Sequence, residues 1–254
     1  MAAGEARASS FGEVAGDYDR LRPGPPQQAL DWLVPPECRT AIDIAAGTGL
    51  FTRALQRRVK DVIAVEPDDR MREVLAARSP GVRAVEGRGE VIPVPDASAD
   101  GVFVSSAWHW LDPGQAIPEI ARVLADGGRL GVIWTGRDRQ ADWVARLDLP
   151  RKPPQDAHDD AGQRRRHEVT LPPGAPFENV ATASFTFARC MTVDQIVNWL
   201  ATYSGLITAS GQERAAALAH AREELLPRAD SDGLIEIPMR SHCWRADRTH
   251  RTSR

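Results

Sequence analysis

Apolar residues fall in short runs along this chain, each closed by glycine, proline or an acid, and the stretches between runs carry apolar residues at helical spacing. Thr40 to Ala45 reads as a buried strand, and Leu50 to Arg58 behind it has the periodicity of a helix. The alternation continues with a strand over Val62–Val65, a helix over Asp68–Arg78, and strands over Val82–Glu86 and Gly101–Ser105. Pro113–Leu124 then predicts a helix ended by Asp126-Gly127-Gly128, a left-handed cap signal, and Arg129–Trp134 a fifth strand. Strands alternating with helices imply a parallel sheet covered on both faces.

The flanks are less regular. Phe11, Val14, Ala15 and Tyr18 recur at helical spacing and predict a short lead-in helix, and Gln27–Leu33 predicts a second one stopped by Pro35-Pro36. Residues 136–176 are polar and proline-containing, with a short helix around Asp142–Leu147. They read as a connecting insertion in which Arg164-Arg165-Arg166 is a solvated run. Beyond it, Phe177–Arg189 predicts a strand, Thr192–Thr202 a helix opened by a Thr cap with Gln195 three residues on, and Glu213–Leu226 another helix. The alternating Ile235–Arg245 predicts a last strand, antiparallel to Phe177–Arg189 at the far side of the sheet. The expected class is α/β: a doubly wound, mostly parallel seven-stranded Rossmann-like sheet with an antiparallel final strand and a helical cap. Along the chain this divides into lead-in helices (1–36), a ligand-binding core (37–135), the insertion (136–176), and strands and helices that complete the sheet and cap (177–254).

A length of 254 residues with 42% hydrophobic content can bury a full core. Lys plus Arg (32) nearly balance Asp plus Glu (35), a formal charge of −3, so no global field recruits nucleic acid or an anionic membrane. The expected partner is a small molecule; nothing in the pattern indicates an oligomeric state. Cys38, Cys190 and Cys243 are far apart and lack metal-ligand spacing, which points to reduced thiols and no metal centre. The N-terminus has no apolar h-region and no run reaches the roughly 18 residues of a membrane span, so a cytoplasmic location is expected.

The chemistry concentrates where the first strand ends. A side chain at Gly47 or Gly49 would block the backbone from approaching a ligand there. Asp43, inside an apolar strand, needs a polar partner, either a ligand's amine or N–H groups of the loop. The next strand ends in Glu66, where a βαβ unit places a carboxylate for a ribose, so an adenosine-bearing cofactor is predicted. Gly47-x-Gly49 continues into Phe51-Thr52 without a third glycine, which disfavours binding of a dinucleotide's pyrophosphate.

Asp43-Ile44-Ala45-Ala46-Gly47-Thr48-Gly49 resembles the first motif of class I S-adenosylmethionine-dependent methyltransferases, with Ala45 in place of the first glycine. The resemblance runs from Phe11 to Trp134 and more faintly through the C-terminal third. Ser105-Ser106-Ala107-Trp108-His109-Trp110 resembles the type 11 group, and within it a branch acting on small organic acids and other metabolites. The resemblance implies S-adenosylmethionine as cofactor, held at the turn by Asp43, Ala45, Gly47 and Gly49. Glu66 would take its ribose, with Pro67 and Met71 following in the next helix. Arg88, Gly89 and Glu90 would meet adenine through their backbone, Arg88 standing where Asp is common, ahead of the apolar-Pro-apolar segment Ile92–Asp96. Tyr18 and Arg22 of the lead-in motif would close over the methionine end, Pro26 standing where an aromatic is common, and Ser105 and Trp108 would line the crevice.

His109 is the catalytic candidate. It would take a proton from a phenol, amine or enol, orient a carboxylate acceptor, or simply hold its loop through a backbone carbonyl. The implied function is methyl transfer from S-adenosylmethionine to a small-molecule O, N or C nucleophile without a metal. An NAD(P)-dependent oxidoreductase and a noncatalytic adenosine-ligand-binding protein are the alternatives.

Overall fold

A computed structural model describes residues 22–147, 167–207 and 209–250. Tyr18, the lead-in helix expected around it and the Arg164–Arg166 run lie outside them. Seven strands, β1 (Thr40–Ile44), β2 (Asp61–Val65), β3 (Arg83–Val85), β4 (Ala99–Ser105), β5 (Leu124–Arg137), β6 (Phe177–Thr192) and β7 (Leu234–Arg248), form one sheet in the order β3-β2-β1-β4-β5-β7-β6. Among the described residues the α-helices are α1 (Gln27–Leu33), α2 (Leu50–Leu55), α3 (Asp69–Arg78), α4 (Pro113–Val123), α5 (Asp142–Ala145), α6 (Val193–Ala201), α7 (Ser204–Ile207) and α8 (Gly211–Leu225).

The first five strands pair in parallel. The order turns back between β1 and β4: β2 and β3 lie to one side of β1, β4 and β5 to the other. A crevice therefore opens at the carboxyl ends of β1 and β4, where open α/β sheets bind ligands. Strand β7 runs the other way. Arg129 pairs with Asp247, Thr135 with Ser241, and the Asp138 N–H with the Pro238 carbonyl, so positions climb on one strand as they fall on the other. Asn179–Asp247 and Ser184–His242 give the same antiparallel sense between β6 and β7. The expected sheet is thus the observed one.

The boundary between α4 and β5 differs from expectation. The helix stops at Val123, and β5 begins at once with Leu124, so Asp126-Gly127-Gly128 lies inside the strand. Its register against β4 jumps from Ala99↔Leu124 to Gly101↔Arg129, and Gly127 takes φ +76° within that bulge. A left-handed glycine serves a helix end and a strand bulge equally well. Helix α2 also stops three residues short of the expected Arg58, at Leu55.

The chain divides into two compact units. The unit formed by Gly24–Thr135, Arg165–Phe185 and Ser241–Arg254 has an apolar layer on each sheet face. Ile42, Ile44, Val102 and Val104 pack with Ile117 and Ile120 of α4. Ala41, Phe103 and Ile133 pack on the opposite face with Leu30 and Leu33 of α1 and Phe51 and Leu55 of α2. Neighbouring residues of β1 and β4 thus enter opposite layers, as the two-residue period of a strand requires. The second unit has its own core, in which Ile196, Trp199 and Leu200 of α6 meet Leu225 of α8 and Ile235, Ile237 and Met239 of β7. Capping boxes open α6 (Thr192 with Gln195) and α8 (Ser210 with Glu213). Among the described residues, no helix is long and apolar enough to cross a membrane.

The Ile92–Asp96 segment is fixed to α4 by Arg122. Its guanidinium donates to the carbonyls of Ile92 (2.8 Å) and Val94 (2.9 Å) and to the carboxylates of Asp96 and Glu119, while Glu119 accepts the Ile92 N–H at 2.7 Å. Because only a planar fork serves all these acceptors, Arg122→Ala should cost about 1–3 kcal/mol in urea unfolding, with Arg122→Lys recovering only part of it. Equal stability of the wild type and Arg122→Ala would contradict this account.

Candidate functional site

Past Ile44, the backbone turns through Ala45, Gly47 and Gly49, at φ +52°, +57° and +83°, before α2 begins. Left-handed backbone is nearly free for glycine, whereas for Ala45 it costs about 1 kcal/mol. The two glycines answer different constraints. A Cβ at Gly47 would meet nothing within 4 Å, so a side chain there would stand in the open space at the strand end. A Cβ at Gly49 would sit 2.9 Å from both Leu75 Cγ and Ser79 Oγ, so that glycine is fixed by packing of the turn on its own chain.

Glu66, only 6% exposed at the end of β2, reaches across to this turn. One carboxylate oxygen accepts the Gly47 N–H at 2.8 Å and the other the Asp68 N–H at 2.9 Å. Burial pushes the Glu66 pKa up, and those two N–H groups pull it back. Each oxygen keeps capacity for a further donor. Beneath the turn, Asp43 is 1% exposed and accepts the Thr52 hydroxyl at 2.6 Å. Burial lifts its pKa to about 7; the Thr52 bond opposes that rise and the charge of Glu66 adds to it. Of the two partners open to Asp43 in the sequence, the structure supplies the protein side, through the hydroxyl and the backbone N–H of Thr52 in α2. The Thr48 hydroxyl, in the same turn, is buried without a hydrogen-bond partner.

The remaining expected residues are distributed around this centre. Pro67 is exposed, and Met71 is buried in α3 with its N–H on the Asp68 carboxylate at 3.0 Å. Arg88 is exposed in a tight turn with Val91. Gly89 is packed so closely that a Cβ would lie 2.9 Å from Leu111 Cδ2, and Glu90 accepts the Asp112 N–H at 2.8 Å. That loop is thereby fastened to the start of α4. Ser105 ends β4, and the Trp108–Trp110 turn divides: Trp108 enters the apolar layer, while His109 and Trp110 are exposed with their rings 4.6 Å apart. Arg22 belongs to the other unit. It donates to the Thr202 hydroxyl (3.3 Å) and carbonyl (3.1 Å) and lies 4.3 Å over the Tyr203 ring.

Thr48 of the turn and Thr52 of α2 were not singled out in the sequence. Thr52 could have been found by asking which nearby donor satisfies Asp43 from the first turn of the following helix. Among the described residues no group of three or more metal-binding side chains converges.

The chain matches the family described as "Methyltransferase domain" over residues 42–132, the segment that carries the turn, Glu66 and β4. An uncharacterized methyltransferase of Mycobacterium tuberculosis, Rv3342, is 40% identical over 240 residues, covering 93% of this chain and 95% of that one. An uncharacterized methyltransferase-like protein of Schizosaccharomyces pombe, C25B8.10, is 28% identical over 236 residues, 90% of this chain and 91% of the other. A solved structure from Anaeromyxobacter dehalogenans, named as a type II methyltransferase, superposes with a TM-score of 0.67 at 25% identity over 90% of this chain and 99% of its own. Identity of 40% over 93% of this chain and 95% of the Mycobacterium protein, together with the family match over residues 42–132, leaves one conclusion: the chain belongs to the methyltransferase family.

Proposed function

We propose that this methyltransferase takes its methyl group from S-adenosylmethionine and transfers it to an O, N or C nucleophile of a small molecule. The observation that carries the reading is the carboxylate of Glu66, buried at the end of β2 and already bonded to the turn after β1. Its spare lone pairs suit the two neighbouring hydroxyls of a ribose. The open space beside Gly47 and the partnerless Thr48 hydroxyl fit a bound group at the same turn.

When bound, S-adenosylmethionine supplies an electrophilic methyl on a positively charged sulfur. The chain's own task is alignment, which is worth about 7–11 kcal/mol of barrier. Glu66 and the turn fix the cofactor's sugar, and the backbone of Gly89 and Glu90 meets its base, the Arg88 N–H and carbonyl being already paired with Val91. Trp108 walls the crevice and keeps water out, which strengthens every interaction within. His109, exposed beside Trp110, can hold a proton released by the acceptor, a contribution of about 10²–10⁴ in rate. Family membership displaces the nicotinamide oxidoreductase reading.

Removing the carboxylate takes away two charge-assisted acceptors. Glu66→Ala should weaken S-adenosylhomocysteine binding about a hundredfold in calorimetry, and Glu66→Gln, which keeps the shape, about tenfold. Unchanged affinity in both variants, or saturable NADH binding in their place, would overturn the proposal.

Asp43 generates a second expectation. Its folded carboxyl holds a proton up to about pH 7, whereas an unfolded one titrates at about 4. A raised folded pKa stabilises fully below the unfolded value, and that contribution is lost as pH rises through about 7. Between pH ~4 and ~8 the wild type should therefore lose stability in urea that Asp43→Asn, which can still accept from Thr52, retains. Parallel pH profiles for the two proteins would contradict the protonated state.

A further inference from the structure

Arg72, in the first turn of α3, reaches the end of β2. Its Nη1 donates to the Glu66 carbonyl at 2.8 Å and to the Pro67 carbonyl at 3.2 Å. Its Nη2 bonds the Asp69 carboxylate in α3 and lies 3.9 Å from the carboxylate of Glu86, just past β3. The Arg72 side chain is 18% exposed, whereas those of Asp69 and Glu86 are 79% and 77% exposed. Ion pairs so open to water contribute little, so the weight of Arg72 falls on the two carbonyls.

Those carbonyls control where the Glu66 carboxylate points. A peptide unit is planar, and in the trans form found throughout the described residues its carbonyl and N–H point opposite ways. The peptide joining Pro67 to Asp68 gives its carbonyl to Arg72 and its N–H to Glu66 Oε1 at 2.9 Å. Arg72 on one edge of that plate therefore aims the donor on the other edge at the carboxylate. The peptide before it ends in a proline nitrogen, so its carbonyl is the one hydrogen-bonding group by which it can be held, and Arg72 holds it. The Glu66 N–H goes to the Val85 carbonyl at 3.1 Å, and Oε2 takes the Gly47 N–H. Glu66 is thus fixed by β3 through its N–H, by the glycine turn through one oxygen, and by Arg72 through its carbonyl and, by way of Asp68, its other oxygen.

The charge acts in the same direction. Burial raises the Glu66 pKa, the Asp68 and Gly47 N–H groups lower it, and the positive charge of Arg72 opposes the negative charge of Asp68. Only a planar fork can serve two carbonyls from one nitrogen and carboxylates from the other; a lysine head is a single point on a flexible stem.

We propose that Arg72 is a positioning residue for the cofactor's ribose: it locks the backbone from Glu66 to Asp68 so that the Glu66 carboxylate presents its spare lone pairs to both hydroxyls. The inference rests on the Glu66–ribose reading above and adds to it a residue that acts through Glu66.

Calorimetry of the full chain with S-adenosylhomocysteine and with its 2′,3′-dideoxy analogue separates this role from a general loosening of the fold. The wild type should prefer the ligand that carries the diol. Arg72→Ala should cut that preference about tenfold, by weakening S-adenosylhomocysteine and leaving the dideoxy analogue unchanged. Arg72→Lys, which keeps the charge, should lose less. An undiminished preference in both variants, or an equal loss of affinity for both ligands, would overturn the proposal. A wild type that binds the two ligands equally would instead overturn the Glu66–ribose reading itself.

Discussion

The hydrogen bond from the Gly47 N–H to the Glu66 carboxylate joins the two halves of the candidate site. It ties the turn after β1 to the end of β2, strands that are neighbours in the sheet but are separated in sequence by α2. Burying a carboxylate is costly unless its oxygens are satisfied, and Glu66 meets that condition with two backbone N–H groups. The bond works in both directions: the carboxylate holds a turn with three left-handed residues in place, and the turn holds an acid at the strand end with capacity to accept more. A preorganised acceptor of that kind can select a diol without rearranging to do so.

The rest of the turn is consistent with this role. Asp43 is placed below the backbone and braces it through Thr52, so the two acids divide the work, one facing the loop's support and the other its open side. Their proximity matters, because the charge on Glu66 adds to the burial that raises the Asp43 pKa. Ala45 retains a methyl where a left-handed backbone favours glycine, and the surrounding bonds must hold it there. Strain of about 1 kcal/mol is small beside the bonds that fix the strand ends on either side.

Much of the fold was legible because strands, helices and punctuation agree over the first hundred residues after the lead-in. The β1–α2–β2–α3 stretch reads cleanly: apolar runs end in Gly49 or Glu66, and Asp68 caps α3 as its side chain and position suggest. The reading failed at Asp126-Gly127-Gly128, where local chemistry permits both a helix cap and a bulge and only pairing with β4 decides. The cap of α8 was present as Ser210 and Glu213 but sits ahead of an alanine-rich segment with little apolar periodicity to draw attention to it. For the candidate site, spacing alone pointed to Glu66 and the glycines. It could not say which aromatic of Trp108-His109-Trp110 turns inward, since a single tight turn has no period to read.

The central claim is that Glu66 grips a ribose while staying bonded to the turn. The most direct measurement is a crystal structure of the chain with S-adenosylhomocysteine. The account predicts both ribose hydroxyls within hydrogen-bond distance of the Glu66 carboxylate, with the Gly47 N–H contact retained. A sugar bound elsewhere, or a Glu66 side chain turned away from it, would contradict the account.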